Sequence, residues 1–387
     1  MLSRRLLGLV LAIACASATV AFAGAVTSRV YTFGVVGSSG KVEALDHRSP
    51  ALVAGIEGRV VQVVATNSDG YALTADGSVW AWGVGSLGEL GTGTELASTT
   101  TAVRVAFPAG VRIVALPDPM PYDSGMAIDA QGDAWGWGAN ADHSLCLPDI
   151  APVLVPERVP LAHVTLATGA GTHALYDAGG RVVACGVGAQ GQLGDGRLAS
   201  SPTPVAVTGL PAGKLESLES SYDGSGALMA SGAYYDWGLN TSGQLGDGSE
   251  TNSDLPVHVR LPGRATEVAQ GGSQLLNGQT VALLANGSAW TWGNGTWGQL
   301  GDGRTASSAA PLRLALPAGV HLRRVSSGGY SSYGIDRSGR LWAWGRNEFG
   351  QLGSGSSVAM TLRPTLTGLR VDGVSATATN AAAFRTS

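Results

Sequence analysis

The residues best suited to catalysis or metal binding do not recur at equivalent positions of this chain. There are six histidines among 387 residues, and none has a close sequence partner at the spacing of a metal site. We therefore interpret them as surface or core residues: His47, His143, His163, His173, His258 and His321.

Aspartates that precede glycine could indicate calcium, but single aspartates about 50 residues apart would lie in different structural units. Asp195, Asp247 and Asp302 therefore favour turns over ligands. Residues 37–41 resemble a phosphate-binding loop, but Val35 and Val42 replace residues that such a loop requires. We predict neither a metal site nor a cofactor.

Asp236 is the one carboxylate within a tryptophan-rich strand pattern. A carboxylate on such a face can have a raised pKa and a functional role. The alternative is a structural residue that bonds to neighbouring backbone amides. Neither interpretation of Asp236 provides a set of residues that could act together in catalysis. We therefore predict no catalytic residue and no enzyme activity.

The elements that would position any site come from a repeated segment resembling Trp-Ala-Trp-Gly. Seven copies recur, and their closing glycines are about 48 to 55 residues apart, a period that fits a multi-strand blade. Nine of the ten tryptophans occupy the two aromatic positions of these copies, and Trp297 is the exception. The closing glycines are Gly34, Gly83, Gly138, Gly186, Gly238, Gly293 and Gly345.

Each repeat predicts four short antiparallel strands. In the sixth copy, 322–326, 332–335 and 341–344 are the first three strands. The fourth strand is predicted at segments such as 204–207 and 256–259, with proline confined to the start of the strand. The glycines before Gln-Leu-Gly are expected to have positive φ angles.

The two ends of the chain predict how the array closes. Residues 369–375 and 381–384 form a half-repeat that lacks its third strand, and Val30 to Phe33 supply the missing segment. Pairing between these ends removes the exposed edges of an open array. We predict an all-β fold, a seven-bladed propeller of four-stranded antiparallel blades in one domain over residues 24–387.

Residues 1–23 resemble a secretory signal, with Arg4 and Arg5 before an apolar run. Cleavage would leave no stable membrane span, although an uncleaved anchor or lipid attachment at Cys15 are alternatives. Removal of both arginines changes the formal net charge from −4 to −6, which argues against a nucleic-acid partner. Cys146 and Cys185 occupy unrelated positions, so a disulfide framework is not indicated, and the sequence does not tell whether these two cysteines are free or paired.

Several repeats resemble the regulator of chromosome condensation repeat family. The matching pattern is Trp-Gly-x-Asn-x-x-Gly-Gln-Leu-Gly-x-Gly after an Asp-Gly turn, as at Asp76-Gly77, 240–248 and 347–355. WD and kelch repeats fit less well. The resemblance implies a seven-bladed propeller, and the apolar leader favours a secreted bacterial-type member in the extracellular space or periplasm.

What the resemblance implies about function is less direct, because propellers support many unrelated sites. The nuclear member of the family is a nucleotide exchange factor for a small GTPase, whereas a secreted bacterial member is similar to a protein inhibitor of β-lactamases. We predict a monomeric, non-catalytic scaffold that binds a protein partner. The alternatives are an enzyme or small-ligand binder that uses the central channel, and a GTPase regulator.

Strand directions place the Gly-Gly turns and the Asn-x-x-Gly loops on one rim of the predicted ring. Varied aromatic and acidic residues on a constant scaffold are typical of a recognition surface; solvated loop tips with partly packed rings are the alternative. A proline-rich insertion at 117–121 and a second insertion near 274–278 lie there too. The predicted face comprises Trp297, Phe349, Tyr330, Tyr122, Asp123, Asp69, Asp223 and Gln274.

Overall fold

The computed structural model describes residues 28–35, 46–272 and 278–386, and these residues form strands and turns without a helix. They fold into seven four-stranded antiparallel sheets, the blades of a closed propeller. The leader at residues 1–23 and Gln274 lie outside the described residues. No helix in the described ranges has the length and apolar character that a membrane crossing requires.

Blades 1 to 6 each take four consecutive strands. Blade 1 contains β3 (Val60–Ala65), β4 (Asp69–Thr74), β5 (Val79–Gly85) and β6 (Leu96–Arg104). Blade 2 contains β7 (Ile113–Ala115), β8 (Ser124–Asp129), β9 (Ala134–Gly138) and β10 (Val153–Arg158). Blade 3 contains β11 (Val164–Ala170), β12 (His173–Ala178), β13 (Arg181–Gly186) and β14 (Ser201–Ala206). Blade 4 contains β15 (Leu215–Ser221), β16 (Gly224–Met229), β17 (Tyr234–Gly238) and β18 (Ser253–Val259). Blade 5 contains β19 (Ala265–Gly271), β20 (Gln279–Leu284), β21 (Ala289–Gly293) and β22 (Ser308–Arg313). Blade 6 contains β23 (Leu322–Ser327), β24 (Ser331–Asp336), β25 (Arg340–Arg346) and β26 (Met360–Arg370).

Blade 7 combines both ends of the chain, as predicted. Its four strands are β27 (Gly373–Ala376), β28 (Asn380–Thr386), β1 (Ser28–Val35) and β2 (Asp46–Leu52). Strand β1 pairs with β28 in a continuous antiparallel register that includes Val30 opposite Phe384. The N-terminal strand therefore closes the ring.

The repeated tryptophan holds neighbouring blades together. The second tryptophan of the third strand is almost completely buried in five blades. In four of them its indole N–H donates to the backbone carbonyl at the Gln position of Gly-Gln-Leu-Gly in the preceding blade. These bonds join Trp137 to Glu89 (2.8 Å), Trp237 to Gln192 (3.0 Å), Trp292 to Gln244 (3.0 Å) and Trp344 to Gln299 (2.9 Å).

The glycine before each Gln-Leu-Gly has a positive φ, as predicted. Gly191, Gly243, Gly298 and Gly350 have φ between 73° and 90°, a region that an L side chain adopts with strain. The repeated motif therefore forms a tight turn and provides the hydrogen bond between neighbouring blades.

One expectation from the sequence needs correction, and one question that the sequence left open is answered. Proline is not confined to the start of the fourth strand, because Pro204 and Pro256 lie inside β14 and β18. These strands are the outer edges of their sheets, where a missing N–H leaves no ladder bond unmade. Cys146 and Cys185 form a disulfide with a Cα–Cα distance of 5.5 Å, which links blade 2 to blade 3.

Candidate recognition site on the loop face

The turns between first and second strands and the loops after third strands lie on one rim, which we call the loop face. Tyr330 occupies such a turn and Arg346 ends a third strand in the same blade. The Arg346 amide donates to the Tyr330 carbonyl over 2.9 Å. This confirms the arrangement that the strand directions predicted.

Arg346 gathers three of the predicted face residues into one cluster. Its guanidinium carbon lies 4.4 Å from the ring centroid of Trp297, 5.0 Å from that of Tyr330 and 5.1 Å from that of Phe349. Contacts of this length between a guanidinium and an aromatic ring are attractive. We call Trp297, Tyr330, Phe349 and Arg346 the aromatic cluster.

The repeat motif positions the two loop members of this cluster. Gln299 Oε1 accepts the Trp297 amide over 2.7 Å, and Gln351 Oε1 accepts the Phe349 amide over 3.0 Å in the next blade. Both glutamine side chains are buried. The two aromatic residues therefore stand on loops whose backbone is held by buried polar side chains.

The aromatic cluster combines partial exposure with a fixed geometry. Trp297, Tyr330 and Phe349 are all half-buried, so each ring has contacts within the chain and surface left for a partner. Arg346 Nε donates to Glu348 Oε2 over 2.6 Å, and 19% of the Arg346 side chain is exposed. The rings and the carboxylate together hold the guanidinium in place.

Arg346 was not among the residues that the sequence singled out, although a signal was present. The position directly after the closing glycine holds an uncharged residue in blades 1 to 5 and arginine in blade 6. A charged residue at a repeat position that is otherwise apolar or neutral is one that the repeated architecture does not require.

Tyr122 lies on the loop face in a different region from the aromatic cluster. Its ring lies 5.3 Å from the ring of Tyr222, and its amide donates to the Gly171 carbonyl over 3.0 Å. At the other end of the same insertion, Asp118 Oδ1 accepts a hydrogen bond from Ser375 of blade 7 over 2.8 Å. The insertion therefore contacts blade 7 at one end and blade 4 at the other.

Asp69 and Asp123 meet on the loop face through one serine. Ser68 Oγ lies 2.6 Å from Asp69 Oδ2 and 2.7 Å from Asp123 Oδ1. Burial, and then the nearby Glu89 carboxylate, raise the pKa of Asp69 well above its usual range. Because only 1% of Asp69 is exposed, it supports the face rather than presenting a surface for contact. Asp123 is half-buried.

Asp223 is also on the loop face but is 8% exposed. Gln192 Nε2 donates to its Oδ1 over 3.3 Å, and burial raises the pKa of Asp223 to about 6. Like Asp69, it offers a partner little surface. Among the predicted recognition residues, the aromatic rings and Asp123 are therefore half-buried, whereas Asp69 and Asp223 are buried.

Asp236 is buried between blades 4 and 5, away from the loop tips. Its Oδ1 accepts a hydrogen bond from Gln270 Nε2 over 2.7 Å, so a side-chain amide is a partner that the sequence did not identify. Burial raises the pKa of Asp236 well above its usual range. With 1% of its surface exposed, it holds two blades together and has no access to a substrate.

Metal-binding groups are not assembled in the described part of the chain, where no three His, Cys, Asp or Glu residues could hold an ion together. His173 illustrates the structural role of a buried histidine. Its Nε2 lies 2.8 Å from Ser225 Oγ and 3.0 Å from Ser220 Oγ. This imidazole links blade 3 to blade 4.

Known proteins share both the repeat and the architecture. The family described as regulator of chromosome condensation (RCC1) repeat matches residues 231–276, 286–335 and 338–376, and a second description of that repeat matches 323–351. The C-terminal part of the chain therefore carries RCC1 repeats, and the described residues fold as a seven-bladed propeller.

This chain is similar in sequence to several curated proteins. The ultraviolet-B receptor UVR8 of Arabidopsis thaliana is 28% identical over 353 residues, which cover 88% of this chain and 78% of the receptor. The mitochondrial RCC1 domain-containing protein RUG3 of the same plant is 31% identical, with coverage of 73% and 64%. Human E3 ubiquitin-protein ligase HERC2 is 27% identical over 85% of this chain but only 7% of the ligase.

Solved structures show the same ring. Human WBSCR16 superposes with a TM-score of 0.79 at 19% identity, covering 93% of this chain and 99% of WBSCR16. Prp20p of Saccharomyces cerevisiae superposes with a TM-score of 0.78 at 20% identity, with coverage of 92% and 91%. At these identities the likeness establishes the fold.

Proposed function

We propose that this chain is a non-catalytic protein-binding propeller that holds a protein partner on its loop face. The aromatic cluster carries the proposal. Tryptophan, tyrosine and arginine are the residues most enriched among those that dominate binding energy at protein interfaces. Here they meet within one partly exposed group on the rim.

Preorganisation supports the same function. The Gln299 and Gln351 side chains hold the backbone at Trp297 and Phe349, and Trp344 anchors the Gln299 loop to the next blade. A surface that is ordered before binding loses less conformational freedom on association. The loops therefore present their rings in a ready arrangement, as an inhibitor-like or adhesion-type scaffold requires.

We also propose that the protein is secreted and acts as a monomer in the extracellular space or periplasm. The apolar leader at residues 1–23 supports an export signal. The Cys146–Cys185 disulfide supports the same compartment, because such bonds persist in oxidising environments.

The GTPase-regulator alternative rests on family resemblance alone. Prp20p is described as having binding properties toward Gsp1p and histones, and at 20% identity that property stays with Prp20p. The central-channel alternative would use other residues, because the first strands of the blades line a central cavity of about 660 Å³.

Affinity capture from secreted and cell-surface material tests the proposed function. The wild-type chain should retain a defined protein that the triple variant Trp297→Ala, Tyr330→Ala, Phe349→Ala releases. Tyr235→Ala is a matched control, because its half-buried ring contacts His258 (5.2 Å between centroids) on the outer strand pair of blade 4. Equal retention by the triple variant would exclude this face, and the absence of any saturable protein partner would overturn the function.

A further inference from the structure

The face opposite the loop face is rich in cationic side chains. It consists of the connections between second and third strands, the connections from each fourth strand to the next blade, and the two strand residues that adjoin each connection. The described part of this face has fifteen lysine and arginine residues, of which fourteen are exposed, against nine carboxyl groups, of which three are buried. We call it the basic face.

The loop face has the opposite charge. Bounded in the same way, it has three arginines, Arg197, Arg304 and Arg346, against fourteen carboxyl groups among the side chains that the structure describes. The formal net charge of −4 for the whole chain does not reveal this separation. The propeller is therefore a disc with one cationic and one anionic face.

Two repeat positions place these cations in concentric rings. The residue directly before the first strand is basic in blades 1 to 6, and all six are exposed: Arg59, Arg112, His163, Lys214, Arg264 and His321. The fourth strand ends in an exposed arginine in blades 1, 2, 5 and 6: Arg104, Arg158, Arg313 and Arg370. First strands surround the central cavity and fourth strands form the outer edges. Because exposed side chains contribute little to packing, the core does not account for this recurrence.

Several of these guanidinium groups are positioned without losing their charge. Arg112 donates to the Ala75 carbonyl of blade 1 over 3.2 Å, and Arg264 donates to the Ala230 carbonyl of blade 4 over 2.8 Å. A bond to a neutral carbonyl uses one of five N–H donors and leaves the others for a second partner. Among the described residues, a carboxylate lies within 4.0 Å of only three cations on the basic face, namely Arg158, Arg323 and Arg340. The remaining cations on this face are therefore available to an external anion.

We propose that the basic face docks on the surface of a bilayer that contains anionic phospholipids. Lysine and arginine side chains near such a surface are each attracted to it. Cations distributed around a whole ring match a planar array of headgroups, whereas a linear polyanion would cross the ring along one line and meet only part of it. The anionic loop face is repelled by the same surface, so docking has one orientation and leaves the aromatic cluster facing the solution.

Co-sedimentation of the full chain with lipid vesicles tests the proposal. Phosphatidylcholine vesicles with about one third phosphatidylglycerol should bind the chain saturably at about 0.1 M salt and release it at about 1 M salt, where the Debye length falls to about 3 Å. Vesicles of phosphatidylcholine alone measure any contribution from the apolar leader. They should retain much less of the chain.

Charge reversal on each face provides a matched pair of variants. Arg59→Glu combined with Arg313→Glu, on the basic face, should bind the anionic vesicles at least about tenfold more weakly than the wild type. Arg197→Glu combined with Arg304→Glu changes the net charge by the same amount on the loop face and should bind as the wild type does. All four arginines are exposed, and circular dichroism would confirm that both double variants are folded.

Equal binding to anionic and neutral vesicles, or an equal loss of binding in both double variants, would overturn the proposal. Tighter binding to duplex DNA at the same phosphate concentration would also overturn it, by assigning the basic face to nucleic acid. So would stacking of copies in sedimentation velocity that either double variant abolishes, by assigning the basic face to the loop face of a second copy. The triple variant of the aromatic cluster should bind vesicles as the wild type does, which separates this result from the proposed function.

Discussion

The Arg346 guanidinium lies 4.4 Å from the centre of the Trp297 ring, across the boundary between blades 6 and 5. The same guanidinium contacts Tyr330 and Phe349 within blade 6. One side chain that no repeat motif contains therefore joins the variable tips of two blades. The recognition surface and the stability of this boundary are consequently linked.

Replacing Arg346 should weaken the fold as well as the site. Arg346→Ala removes three contacts between a cation and an aromatic ring, and we expect the free energy of unfolding to fall by about 1–2 kcal/mol. Urea denaturation followed by circular dichroism measures the change. Arg260→Ala, at an exposed arginine, should change stability by less than about 0.5 kcal/mol. Equal stabilities for both variants would contradict the described cluster.

The two kinds of tryptophan should respond differently to truncation. Trp344 is 0% exposed and donates to Gln299, so Trp344→Ala should lower the unfolding free energy by about 3–5 kcal/mol. Trp297 is half-buried, and Trp297→Ala should lower it by less than half as much. If Trp297→Ala proved the more destabilising change in urea, the division between repeated core and variable tip would be wrong.

The closed ring makes the N-terminal strand essential to the whole propeller. Val30 is 2% exposed and faces the core, whereas the neighbouring Arg29 is exposed. Val30→Asp should lower the unfolding free energy by about 3 kcal/mol or more, because a buried charge lacks a partner. Arg29→Asp is the matched control on the same strand and should have a much smaller effect.

Removal of residues 28–34 extends this test of ring closure. The deletion leaves β28 paired with β27 alone and should lower the melting temperature of the entire domain in a single transition. A melting temperature equal to that of the full chain would show that the ends are not coupled.

Burial of His173 should make stability depend on pH. Burial lowers the pKa of His173 to about 4, whereas an unfolded histidine has a pKa of about 6.5. Between these values the unfolded chain binds more protons, so this residue lowers stability as pH falls from 6.5 to 4. The neutral variant His173→Gln lacks this effect. The stability difference between wild type and variant should therefore shift by about 2–3 kcal/mol over that range in favour of the variant.

Urea titrations of both proteins at several pH values provide the measurement for His173. The comparison cancels the opposing effect of the buried carboxyl groups, since both proteins contain them. A difference that stayed constant from pH 4 to 6.5 would mean that the imidazole does not remain neutral in the folded chain.

The sequence predicted the architecture well because repetition encodes it. Tryptophans at a regular period and a half-repeat at each end together specify seven blades and the pairing of β1 with β28. Strand direction alone placed Trp297, Tyr330 and Phe349 on one rim. Each of these inferences depends on a pattern that occurs several times.

Features that occur only once in the chain could not be predicted from a repeated pattern. Arg346 replaces a neutral residue in a single blade, and the Cys146–Cys185 disulfide joins unrelated repeat positions. The contact between Asp118 and Ser375 depends on the path of an insertion that no other blade contains. Burial of Asp69 and Asp223 likewise depends on neighbours in other blades, which spacing along the chain does not reveal.

The most direct test of recognition through the loop face is the affinity of the captured protein partner for single variants of that face. Isothermal titration should show that Trp297→Ala binds at least about tenfold more weakly than the wild type, a loss of about 1.4 kcal/mol or more. Tyr235→Ala should bind with wild-type affinity. Equal affinities for Trp297→Ala and Tyr235→Ala would contradict recognition through the aromatic cluster.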